Sequence, residues 1–280
     1  MKVKTRNTIS LLLLASLAAL SSCNVEKQIA KQFIQQPVAD EVLMFSPYYV
    51  FKSNLKEDIE LDTSALTDEE IHQRRIDSSV LLKEISDSVF LSKYVNSYIE
   101  EMKALGYEVY TEDFVSEFMN RRDSGYVIHI AQLELEEYYM EYVDEEYIGG
   151  RYFKTEFDLN ALNLNSWFEL YRVNETERRK QVLFASHFIS DNLYGSYTQY
   201  FFTGEVDYEY TIDSVKTEDV YELASYLGGL YASYTYDYIL NKYIIKNMPE
   251  GRRPKTYWHY NRYNKRLYPA GEDRFELLDE

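Results

Sequence analysis

The chain has one cysteine, Cys23, in 280 residues. A single thiol cannot close a disulfide within the chain, form a CxxC redox pair or build a cysteine-rich zinc cluster. Long apolar runs are missing as well: Leu11–Leu20 is too short to span a bilayer, and Asp237, Lys242 and Lys246 interrupt the one other long helical pattern. GxSxG, HExxH, P-loop and dinucleotide-binding glycine patterns do not occur, so no residues mark an enzyme and no cofactor is called for. Basic residues are in deficit, 30 Lys and Arg against 47 Asp and Glu, for a net charge of −17. That field repels nucleic acid and, taken over the whole molecule, anionic lipid.

What is present begins at the N-terminus. Lys2, Lys4 and Arg6 form a basic head, Leu11–Leu20 an apolar core, and Leu20-Ser21-Ser22-Cys23 follows at once. The order reads as an export signal. Its last four residues resemble the lipobox of bacterial lipoproteins, which implies a diacylglyceryl group on the Cys23 thiol, cleavage just before it, and acylation of the new amine. Two or more acyl chains, at about 0.8 kcal/mol per buried methylene, make a stable anchor. Cleavage removes three positive charges and no negative ones, taking the net charge from −17 to −20. The chain then divides into a signal peptide (1–22), a lipidated anchor and spacer (23–40), one α+β domain (41–248) and a basic aromatic extension (249–280).

The Tyr- and Asn-rich style of the chain, with 29 tyrosines, resembles that of lipoproteins of the Bacteroidota. Those displayed on the outer surface carry a cluster of acidic residues after the cysteine, whereas Asn24-Val25-Glu26-Lys27 offers only Glu26. The resemblance therefore implies an outer-membrane lipoprotein facing the periplasm. Asp87-Ser88-Val89 and Asp213-Ser214-Val215 resemble the short O-glycosylation sequon of the same envelope, and both also suit turn or helix-start chemistry.

Hydrophobic periodicity gives the fold class. Val25, Ile29 and Phe33 mark a short spacer helix ended by Pro37. Residues 42–51 read as an edge or bent strand because of Pro47, Thr67 caps a possible helix, and 80–85 reads as a short buried strand. Leu91, Tyr94, Val95, Tyr98, Met102 and Leu105 define a helix closed by Gly106, and Thr111 opens a shorter one through Phe118. From 126 the period falls to two. Runs at 126–143, 151–159, 162–173, 181–189 and 205–212 predict an antiparallel meander, with Val127, His129, Ala131, Leu133 and Leu135 on one face. A helix then starts at Thr217, whose hydroxyl is the expected cap. Val220, Ala224, Leu227, Tyr231, Tyr234, Tyr238, Asn241 and Ile245 step by four and three along it, beside small-residue rows that invite close approach by another element. The expected fold is an α+β meander with helices on one sheet face. In element order it is similar to small lipoproteins that assist envelope assembly or transport.

The four histidines share no metal or triad spacing, and His129 and His187 read as sheet histidines with hydrogen-bond partners. The carboxylates of Glu134–Glu146 read as a solvated strand face and hairpin tip rather than a cation site. A hydrolase would need two carboxylates facing each other across about 5–9 Å. Tyr138, Tyr139, Tyr142, Tyr147, Tyr152, Tyr194, Tyr197 and Tyr200 lie in or near predicted hairpins, where rings finish a half-exposed sheet or stack on glycan or peptide.

From Gly251 to Gly271 no acidic residue occurs, and Arg252, Arg253, Arg262 and Arg266 alternate with Tyr257, Trp258, Tyr260 and Tyr263. The strip either folds back onto its acidic body, docks an acidic partner, or meets anionic headgroups or glycan phosphates. The sequence is read as a non-enzymatic binding or assembly module for another envelope component, with this strip as candidate interface. A glycan- or peptide-binding role for the Tyr-rich hairpins is the alternative.

Overall fold

The computed structural model describes residues 25–35, 41–56, 66–121, 125–173, 181–271 and 274–278. The segment read as an export signal, Cys23, the link at 36–40, the acidic excursion at 57–65 and the turn at 174–177 lie outside the described residues. Two long strands frame the molecule. β4 (Tyr126–Ile148) and β5 (Arg151–Arg172) pair antiparallel from Tyr126↔Arg172 to Ile148↔Arg151. Gly149 and Gly150 close the hairpin with φ of 58° and 80°, a backbone region open to glycine. The runs expected as two strands, 151–159 and 162–173, are therefore one.

β6 (Gln181–Ser190) pairs antiparallel with β5, completing the core of the predicted meander. On the other edge of β4 the pairing is parallel. Both β1 (Glu41–Phe45) and β2 (Phe51–Asn54) run parallel to β4, and β3 (Glu108–Thr111) runs parallel to β1. The short β11 (Glu276–Leu278) adds antiparallel to β6. The large sheet is thus mixed, in the order β11-β6-β5-β4-β1-β3. Two separate ribbons complete the strands: β7 (Asn192–Gln199) with β8 (Val206–Asp213), and β9 (Trp258–Asn261) with β10 (Arg266–Pro269).

One irregularity sets which residues enter the core. The register of β4 against β5 shifts between Ile130 and Gln132. A bulge of one residue exchanges the two faces of a strand. Ile128 and Ile130 before it therefore share the main core with Leu133 and Leu135 after it. Val127 faces a second, smaller cluster with Leu43, Tyr110 and Phe118, and His129 meets Glu169 at 2.9 Å. The single face expected for Val127, His129, Ala131, Leu133 and Leu135 is split by that bulge.

The helices are α1 (25–35), α2 (Asp68–Asp77), α3 (Asp87–Ala104), α4 (Val115–Arg121) and α5 (Thr217–Asn247). α1, α3 and α5 bury their apolar faces in the main core, while Phe118 of α4 packs in the cluster on the opposite face, so the helices are not confined to one side. α1 is no free spacer: Ile29, Ala30 and Phe33 are buried, and Phe33 meets the ring of Tyr236 at 5.6 Å. Thr67 caps α2 through a reciprocal box with Glu70. Gly106, at φ 101°, follows the end of α3.

Residues 80–85 form a turn of 3-10 helix (Leu82–Glu84) instead of a strand, because the N–H groups of Val80, Leu81 and Leu82 all turn to the Glu137 carboxylate. At the start of α5 the cap is Asp219, which accepts the Lys216 N–H at 2.8 Å; the Thr217 hydroxyl plays no such part. The small-residue row of α5 meets α3 of the same chain. A methyl group at Gly228 would collide with the Tyr94 carbonyl, and Ser225 pairs with Ser97 at 2.7 Å.

Candidate interaction surfaces

The C-terminal strip lies against the body through buried polar residues that hold its backbone. Asn241 on α5 donates to the Trp258 carbonyl at 2.7 Å and accepts the Trp258 N–H at 2.8 Å, as a neighbouring strand would. One turn back, Asp237 accepts the Tyr260 N–H at 2.9 Å and lies 2.6 Å from Nδ1 of His259. Glu26 of α1, fully buried, accepts the Lys255 N–H at 2.9 Å and the Trp258 indole N–H at 3.4 Å. The lone acid after the cysteine is therefore an internal clamp. Burial pushes the Asp237 carboxyl above its usual value, and the hydrogen bond to Asp237 raises His259.

These contacts divide the residues singled out in the strip. Trp258 is 5% exposed and lost to any partner as a free ring, and Tyr260 is half-buried against Tyr236. Tyr257 is half-buried with the Arg274 guanidinium over its ring at 4.8 Å. Arg262 donates through Nε to Glu101 of α3 at 2.6 Å and stacks on Tyr263, which is 80% exposed. Arg252, Arg253 and Arg266 are exposed. Of the grooves that the strip and its neighbours line, two are the larger. One, of about 770 Å³, lies between the end of α5 and β11 and is lined by Tyr238, Asn241, Tyr257, Arg274 and Leu277. The other, of about 520 Å³, brings Lys265 and Arg266 beside Lys27 and Lys31 of α1.

A second surface stands at the far end of the frame. Among the described residues, the β4–β5 ribbon has no further neighbour in the large sheet beyond Glu137 and Ala161, so its outer ten residue pairs extend past the sheet. The β7–β8 ribbon packs along this extension through aromatic rings: Phe153 meets Tyr197 at 6.0 Å, and Phe157 meets Tyr208 at 5.8 Å. Both phenols turn to one acid. Tyr208 donates to the Asp144 carboxylate at 2.8 Å and Tyr197 to the Asp144 carbonyl at 3.0 Å. Gly195 leaves room for the Tyr208 phenol, since a Cβ there would collide with its hydroxyl oxygen.

Braced this way, the ribbons carry apolar rings at their tips. Phe201 and Phe202, in the β7–β8 turn, are 92% and 96% exposed. Tyr147 and Tyr152 flank the other turn with ring centroids 5.2 Å apart. The tyrosine runs pointed to these hairpins, but Phe201-Phe202 was not singled out. Two adjacent phenylalanines before Thr203-Gly204, between polar segments, were the available signal.

No protein-family model matches the chain, and no curated protein matches it either. Among the described residues, no group of His, Asp or Glu has the arrangement of a metal site. Two carboxylates, Asp213 and Asp219, share the groove at the base of the extension, and Asp219 is engaged as the cap of α5. His187 meets the Tyr231 hydroxyl at 2.9 Å, as expected of a sheet histidine.

Proposed function

We propose that the protein is a lipid-anchored lipoprotein of the outer membrane, facing the periplasm, and that it binds another envelope component without catalysing a reaction. Its contact end in this reading is the pair of aromatic ribbon tips rather than the C-terminal strip. The observation that carries the reading is the near-complete exposure of Phe201 and Phe202 on a ribbon fixed by Tyr197, Tyr208 and Asp144. Exposed single apolar residues are ordinary; two adjacent bulky rings on a braced turn are an interaction surface. Phenylalanine has no polar edge for sugar hydroxyls, so an apolar protein surface suits the tip better than a glycan. The Tyr147–Tyr152 pair beside it supports the second reading, stacking on glycan or peptide.

In-cell crosslinking and affinity purification of the wild type, of Phe201→Ser/Phe202→Ser, and of a variant reversing the charges at Arg252, Arg253, Arg262 and Arg266 test the proposal. The tip variant is expected to lose the captured component at unchanged melting temperature. Capture by the tip variant with loss in the strip variant would return the interface to the strip. The anchor has its own check: Cys23→Ala should free the exported protein from membranes, and retention after a carbonate wash would contradict it.

A further inference from the structure

The groove shared by α1 and the β9–β10 turn concentrates positive charge in a strongly acidic protein. Lys27 and Lys31 are four apart on α1 and so lie on one helix face. Lys265 and Arg266 reach the same groove from the turn, beside the apolar Ile34 and Leu267, and among the described residues no acid lines it. Two further details set the site apart. Glu26, the nearest acid in sequence, is turned inward and fully buried. Lys265 has φ 54°, the one non-glycine residue with positive φ among the described residues, where glycine would sit relaxed.

We infer that this groove is a docking face for an anionic phospholipid bilayer, with headgroup phosphates seated between the four cations. Its orientation rests on the lipid-anchor reading. α1 begins two residues after Cys23, a reach of about 7 Å of extended chain, so acyl chains on Cys23 place the α1 lysines at the headgroups. The net charge of −20 left after cleavage repels the rest of the molecule from the same surface. Attraction at one face and repulsion elsewhere hold the protein upright, with the aromatic tips away from the membrane.

Flotation tests this with the chain from residue 24, which contains every described residue, and with vesicles of phosphatidylcholine with or without phosphatidylglycerol. Binding only to the anionic vesicles, weakened by salt, is expected. Lys27→Glu/Lys31→Glu/Lys265→Glu should lower it at least about a hundredfold, whereas the equally charged Lys83→Glu/Lys93→Glu/Lys103→Glu, placed elsewhere, should retain most of it. Equal losses in both triple variants, or no binding by the wild type, would overturn the inference. In the full-length anchored protein, Lys265 should resist an amine-acylating reagent in vesicles and react in detergent; reaction in both would also overturn it. Failure of the anchor itself reads out separately, as an unmodified Cys23 by mass spectrometry.

Discussion

Glu137 is fully buried in β4, and its carboxylate accepts Lys56 Nζ at 2.5 Å and the N–H groups of Val80, Leu81 and Leu82 at 2.8, 2.9 and 3.1 Å. Burial pushes the carboxyl up, but Lys56 and the three amides outweigh it and leave its pKa below the ordinary value. A lowered carboxyl pKa contributes stability that is complete above the unfolded value and is lost as pH falls through the folded one. Lys56→Met strands a buried charge and should cost about 3–5 kcal/mol in urea denaturation. Glu137→Ala should also remove the acid-side fall in stability; an unchanged acid profile would show that another group sets it. The Asp237–His259 pair works in the opposite sense. His259 is raised, so its contribution is complete below the ordinary imidazole value of about 6.5 and is lost as pH rises through the folded one. Asp237→Asn should lower the His259 pKa in an NMR titration, and no change would exclude the pair as its cause. None of this was legible in the sequence. Glu137 reads there as one acid in a charged run, and its partners lie 55 to 81 residues away.

At the scale of elements, local periodicity was readable and long-range pairing was not. α3 and α5 follow from their apolar steps, but α5 departs from its expected seam at the end: Ile245 is 55% exposed, while Leu240 and Ile244 are buried. A 4-3-4-3 pattern repeats every 3.5 residues on average, and a straight helix of 3.6 drifts off it by about 20° per heptad. The parallel strands β1, β2 and β3 are four or five residues long and are paired through distant segments, so alternation within them carried no direction. The small-residue row of α5 yields a paired prediction. Gly228→Ala meets the Tyr94 carbonyl and should destabilise by about 1–3 kcal/mol. Gly229→Ala meets nothing within 4 Å and should stabilise by up to about 1 kcal/mol. Thermal unfolding of the two variants checks both signs, and equal shifts would remove the close-approach account.

At the scale of the whole molecule, α5 joins two poles. The residues leading into it are tied to the base of the extension, where Asp191 accepts the Val215 and Asn160 N–H groups at 2.8 and 3.1 Å. Tyr231 then passes Phe168 at 5.6 Å, and Tyr236 and Tyr243 reach Phe33 of α1. From Val220 to Tyr243 the helix rises about 34 Å, and the ten outer pairs of β4 and β5 add about 33 Å on the other side. α1 and the ribbon tips therefore lie at opposite ends. The segment resembling a lipobox and the tyrosine runs point to the two ends, whereas the strip read as candidate interface is held against the body by Glu26, Asp237 and Asn241. The measurement that tests this arrangement most directly is photocrosslinking in cells, with a benzophenone amino acid placed in turn at Phe202, at Tyr263 and at Tyr226, an exposed position on α5. The account predicts one discrete adduct from position 202 and none like it from the other two. The same adduct from position 263, with none from 202, would contradict it.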